Sequence, residues 1–284
     1  LVGGSPCQSF SFSGKRNGMT TSDNEEILTL SRYLELKQEG FGFKGQSYLF
    51  WEYVRVLREV QVLNPNVKFL LENVVMSKKW EDVISNELGV SPVMINSSLL
   101  SAQNRKRLYW TNINGGVIEQ PKDKEIFLKH ILQDNPKEGL LSEGRSRWLC
   151  SDKGVQCLNK AYTSIKTENQ KSACITARAE GSWNSTYVLS NAIVEGYYHT
   201  DNFNTLMESQ YKHRGLLPTE DGLYYRKLTV RECMRLQTIP EDIIDKMLDV
   251  DEKGKRLISD SQLYKMCGNS WTVDVISHII GCGL

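Results

Sequence analysis

A strand, a helix and a second strand, read from hydrophobic spacing in the first quarter of the chain, constrain the fold most. Between Tyr48 and Leu63 the apolar residues Leu49, Phe50, Tyr53, Val54, Leu57 and Val60 recur at helical spacing. The turn Asn64-Pro65-Asn66 closes that repeat, and Val67-Lys68-Phe69-Leu70-Leu71 then reads as a short strand ending at Glu72. Leu1-Val2 reads as the stub of an earlier buried strand. Strand, helix and strand predict a right-handed parallel crossover. In a sheet of that kind the residues just beyond two strand ends share one crevice. The residues placed there are Cys7, in the turn Gly3-Gly4-Ser5-Pro6-Cys7, and Glu72.

A thiol beside a carboxyl group is a chemical pair. A thiolate is a strong nucleophile even when little of it is ionised, and a carboxylic acid can donate to a ring nitrogen and draw electrons from the ring. The 284 residues, 40% of them hydrophobic, suffice for one large domain or two modest ones. The seven cysteines form no Cys-x-x-Cys pair, so neither a disulfide framework nor a metal site is expected. The sequence shows no apolar run of membrane-spanning length and no signal peptide, so the reading is a soluble, intracellular protein. A net charge of +1 excludes a protein that coats nucleic acid by bulk attraction. Basic residues nevertheless gather at Lys15-Arg16, at Arg105-Lys106-Arg107, and at Arg226, Lys227, Arg231 and Arg235. Such clusters suit a few phosphate contacts.

Four further segments follow the cysteine loop: Phe69-Leu70-Leu71-Glu72-Asn73-Val74, Gln103-Asn104-Arg105-Lys106-Arg107, Arg226-Lys227-Leu228-Thr229-Val230-Arg231-Glu232-Cys233-Met234-Arg235-Leu236-Gln237, and Cys267-Gly268-Asn269-Ser270-Trp271. In this order they resemble the C5-cytosine DNA methyltransferase family. The resemblance implies transfer of a methyl group from S-adenosylmethionine to C5 of a cytosine flipped out of duplex DNA, through a covalent adduct of Cys7 at C6. It gives Glu72 the proton handling at N3 and the 4-amino group, Arg107 the O2 face of the base, and Arg105 the positioning of loop and backbone. Pro6, Asn269, Ser270 and Trp271 are implied at the cofactor. Gln8, Ser9, Ser13, Lys15, Arg16, Gln103, Arg178 and Arg231 are implied at the DNA. From spacing alone, Arg105 and Arg107 are expected on one side of a strand running on through Leu108-Tyr109-Trp110-Thr111.

The implied fold class is α/β: a Rossmann-like, S-adenosylmethionine-dependent methyltransferase sheet with a smaller inserted target-recognition domain. The expected boundaries are 1–113 for catalysis, 114–257 for target recognition and its bracing segment, and 258–284 for a return to the catalytic domain. Thr229 and Glu232 stand at capping-box spacing. Asn269 and Ser270 are each able to cap the N-terminus of the helix that follows. The family's cofactor half, with its glycine-rich loop, precedes the Pro-Cys segment, so the expectation is a missing N-terminal half, supplied as a longer chain or a complementary subunit. Gly40-Phe41-Gly42-Phe43-Lys44-Gly45 does not stand in for it, because it follows a polar segment rather than a buried strand. Residues 11–46 are read as a long loop closing over DNA. Two rival functions stay open: a noncatalytic DNA-binding or regulatory relative, and an RNA cytosine methyltransferase.

Overall fold

The computed structural model describes residues 1–10, 18–134, 136, 164–166, 168–176, 186–190 and 224–283. They fall into two compact units, one of residues 1–96, 106–121 and 277–284 and the other of 97–105 and 122–276. This division does not coincide with the sequence boundaries at 113 and 257. The short 97–105 segment leaves the first unit between two of its strands, which no composition shift announces.

The first unit is built on a four-stranded sheet of β1 (Val2–Gly4), β4 (Leu70–Val74), β6 (Lys106–Thr111) and β5 (Val93–Asn96), in that spatial order. β1 and β4 are parallel, with Gly4 opposite Glu72, as the crossover reading requires. β6 runs antiparallel to both its neighbours, so the sheet is mixed. The strand assigned to Val67–Leu71 begins later and runs on to Val74, which puts Glu72 within β4 rather than beyond its end.

Helix α2 (Phe50–Leu63) buries Phe50, Trp51, Val54 and Leu57, the i, i+3, i+4 stripe seen in the sequence, and Pro65 prevents its continuation. Helix α3 (Lys78–Leu88) buries Trp80, Ile84 and Leu88 and stops at Gly89, whose φ of 70° is left-handed. These faces join Leu71, Leu108 and Trp110 in one apolar cluster, in which each large side chain contributes about 1.5–3 kcal/mol by leaving water.

Residues 18–46 are not the open loop expected. They hold β2 (Thr20–Thr21) paired antiparallel with β3 (Phe43–Lys44), and helix α1 (Leu30–Gln38) capped by Thr29. Met19, Ile27, Tyr33 and Leu36 are buried in the same core, and Tyr33 and Tyr48 pack around Phe43. The polar Glu35–Glu39 segment ahead of the glycines is the end of α1. Residues 11–17 lie outside the described residues.

The second unit holds β7 (Ser164–Lys166), β8 (Thr186–Ser190) and β9 (Tyr224–Lys227), β7 parallel and β9 antiparallel to β8. Helices α4 (Val230–Leu236), α5 (Glu241–Met247) and α6 (Asp260–Asn269) follow. Its core includes Leu128, Val188, Met234, Leu236, Ile244 and Leu263. Thr229 and Glu232 form the expected capping box at the start of α4. Helix α7 (Val273–Gly281) buries Val275 and Ile279, and its residues from 277 onward belong to the first unit. Among the described residues no helix is long and apolar enough to cross a membrane.

Candidate active site

The cysteine turn is pinned on both flanks. Cys7 O accepts from Phe10 N at 3.0 Å, which closes a tight turn over Gln8 and Ser9. Before it, the buried Asn73 amide donates to Ser5 O at 3.2 Å and Ser5 Oγ at 3.0 Å, tying the loop to β4. Ser47 Oγ donates to Pro6 O at 2.9 Å and accepts from Ser9 N at 3.2 Å. Cys7 is half-buried. The thiols of Cys233 and Cys267 are pushed up by burial, Cys267 to about 12, and remain protonated at neutral pH.

Glu72 and Arg107 meet directly, Arg107 Nε lying 3.0 Å from Glu72 Oε1. Strand register explains the meeting, since Val74 opposes Arg107 and Glu72 opposes Tyr109, two residues along on the antiparallel pair. The two side chains are 12% and 14% exposed, enough to be reached and dry enough for a strong charge-assisted bond. Gly4 stands beside Glu72, and Cys7 follows Gly4 by three residues, at most about 11 Å of chain. The first unit therefore pairs the carboxylate with the guanidinium picked out in the sequence, and the strand beside Glu72 is the one that leads into the cysteine turn.

Arg105 is not a member of that group. It precedes β6 and is 3% exposed, so strand alternation does not govern it. Its guanidinium donates to Ile175 O at 3.2 Å, Gly268 O at 3.2 Å and Ser270 O at 2.8 Å, all in the second unit. It holds the Gly268 and Ser270 carbonyls at the end of α6. Gln103, expected at the DNA, is wholly buried, its amide donating to Leu236 O at 3.0 Å and its oxygen accepting from Ile175 N at 3.2 Å. Ser9 is likewise buried, whereas Gln8 is exposed. Arg231 is paired with Glu241 at 2.7 Å and Asp245 at 2.6 Å, so a phosphate would have to compete with two carboxylates. Ser13, Lys15, Arg16 and Arg178 lie outside the described residues.

Asn269 and Ser270 do not cap the N-terminus of α7. They end α6, with Ser270 N donating to Met266 O at 2.8 Å and Ser270 Oγ to Cys267 O at 3.0 Å. Thr272 holds the start of α7, its carbonyl accepting from Val275 N. Asn269 is exposed and Trp271 half-exposed. Two braces escaped sequence reasoning, Ser47 and Asn73. Asn73 was detectable as a polar residue inside an otherwise apolar strand, a position where a buried amide must find partners.

The model of the C-5 cytosine-specific DNA methylase family matches residues 37–282. The chain belongs to that family. It is 28% identical to the type II methyltransferase M1.ScrFI of Lactococcus lactis subsp. cremoris, over 98% of this chain and 60% of that protein. It is 23% identical to the type II methyltransferase M.BanI of Aneurinibacillus aneurinilyticus, over 99% of this chain and 79% of the other. The chain thus spans about 60% of the length of M1.ScrFI. Among solved structures the Entamoeba histolytica methyltransferase EhMeth resembles it with a TM-score of 0.57 at 15% identity, over 99% of this chain and 75% of that one, a likeness of fold.

Proposed function

We propose that this chain carries the base-side catalytic residues of a DNA cytosine-C5 methyltransferase. The observation that supports this most is the 3.0 Å Glu72–Arg107 pair on β4 and β6, beside the strand that leads into Cys7, within a chain of the cytosine methylase family. Cys7 Sγ adds to C6 of a flipped-out cytosine. Glu72 handles the proton at N3, which makes C6 electrophilic, and Arg107 fixes the Glu72 carboxylate while donating toward O2. When the proton at C5 is lost, the Cys7–C6 bond breaks and the thiol leaves.

S-adenosylmethionine, when bound, supplies the methyl group. The donor set here suits one wall of such a site: the half-exposed indole of Trp271 offers a flat apolar face, and the exposed Asn269 amide offers a donor and an acceptor. A further segment, fused or separate, would then complete the pocket with a glycine-rich loop. Consistent with that, β1 is the edge of its sheet among the described residues, and Val2 is 45% exposed.

Methyl transfer from labelled S-adenosylmethionine, measured with the full-length gene product on duplex DNA and on transfer RNA, tests the reading. Glu72→Gln keeps the shape but not the acid, so turnover on DNA is expected to fall about 100-fold or more with DNA affinity little changed. Near-normal turnover in that variant would remove Glu72 from the chemistry. Preference for transfer RNA would move the substrate class, and an inactive parent protein would favour the noncatalytic relative.

A further inference from the structure

We propose that Ser47 is a positioning residue for Cys7, holding the nucleophile turn from outside it. Ser47 lies forty residues beyond the cysteine and opens the short 3-10 turn Ser47–Leu49 that leads into α2. It is wholly buried, and its hydroxyl uses both of its capacities on the residues that flank the nucleophile, donating to Pro6 O at 2.9 Å and accepting from Ser9 N at 3.2 Å. These two groups stand on either side of Cys7. One hydroxyl therefore fixes the peptide before the cysteine and the peptide after the turn's first corner, while Phe10 N holds Cys7 O.

The arrangement is economical because the turn cannot satisfy those groups itself. The turn's own bond runs from Phe10 N to Cys7 O, and the Pro6 carbonyl and the Ser9 amide both turn to Ser47. Removing the hydroxyl would take the partner from a half-buried carbonyl and leave a buried amide unsatisfied, and the turn would relax to find other partners. The thiol moves with it. Because attack on C6 depends on alignment at close range, a displacement of the order of 1 Å weakens catalysis about 100-fold. Ser47 touches neither base nor cofactor in this account; it acts through Cys7.

The inference rests on the reading of Cys7 as nucleophile, and the test separates the two. In the full-length protein, Ser47→Ala and Ser47→Thr are compared with the parent by alkylation of Cys7 with iodoacetamide, followed by mass spectrometry, and by adduct formation on duplex DNA carrying 5-fluorocytosine. Thermal unfolding confirms that each variant is folded. The expected result for Ser47→Ala is a change of about fivefold or more in Cys7 alkylation and adduct formation slowed about tenfold or more, with apparent DNA affinity within about threefold. Ser47→Thr, which keeps the hydroxyl, is expected to stay within about threefold of the parent in both. Parental alkylation and trapping in Ser47→Ala would overturn the proposal, as would a folded threonine variant that behaves like alanine. Alkylation that changes as expected while the parent itself forms no adduct would support the brace and sink the nucleophile reading instead.

Discussion

Glu52 shows how one side chain can hold two helices at once. Its carboxylate accepts from Lys37 Nζ and Tyr33 Oη, both at 2.6 Å and both on α1, and from Arg55 Nε at 2.8 Å on its own helix α2. Burial by itself would raise this carboxyl, but the hydrogen bonds from Lys37, Tyr33 and Arg55 outweigh it and hold it down at about 2, against an ordinary value near 4.5. A folded-state value below the unfolded one means stability fully present above about pH 4.5 and lost as pH falls toward 2. The parent should therefore be more stable than Glu52→Gln by a constant margin at neutral pH, and that margin should shrink between about pH 4.5 and 2. Thermal midpoints measured across that range check it; a margin that does not change with pH would show that the charge on Glu52 does not stabilise the fold. The Arg226–Glu232 pair is a different case. Both members are buried and bidentate at 2.8 Å, and Glu232 also accepts from Thr229 N and Gln133 N. Sequence spacing revealed the capping box but not the buried cation it also serves.

At the scale of elements, what was legible is what repeats locally. The α2 stripe of Phe50, Val54 and Leu57 and the capping box of α4 were both readable because helix periodicity and capping act within a few residues. The β2–α1–β3 segment was missed for the converse reason. Its strands are two residues long, and α1 buries only Tyr33 and Leu36, so little periodic signal reaches the sequence. Arg105 does not share a strand side with Arg107 as its spacing suggested, because the strand starts at Lys106; ahead of it, distant carbonyls decide where a side chain goes, and alternation does not. Glu72 and Arg107 were expected at one site from the order of the motifs, and the register of β4 against β6 pairs them. The support of the cysteine turn is also open to test at this scale. Gly45 has a φ of 64°, and a Cβ there would come within 2.5 Å of Ser9 Oγ. Gly45→Ala is expected to cost about 1–2 kcal/mol from the backbone alone, with more from the clash. Adding Ser9→Ala should recover the steric share but not the rest. Denaturant titration of the single and double variants reads this, and strictly additive losses would show that the two residues do not meet.

At the scale of the whole molecule, the proposed base-side residues stand on a sheet of which β1 is, among the described residues, the edge. If a further segment completes the cofactor pocket, residues 1–284 alone offer only part of a cavity and should bind S-adenosylmethionine very weakly, because affinity needs convergent contacts in a preformed site. Calorimetric titration decides this: micromolar affinity for the 284 residues alone would show that the cofactor site is already complete within them. The central claim is that Cys7 forms a covalent bond with cytosine, and a trapping experiment tests it most directly. Duplex DNA carrying 5-fluorocytosine should capture the full-length protein as a denaturant-stable adduct in the presence of S-adenosylmethionine, since fluorine cannot leave as the proton does. Cys7→Ser should form none. An adduct of undiminished yield in Cys7→Ser would place the nucleophile on another residue and contradict the account.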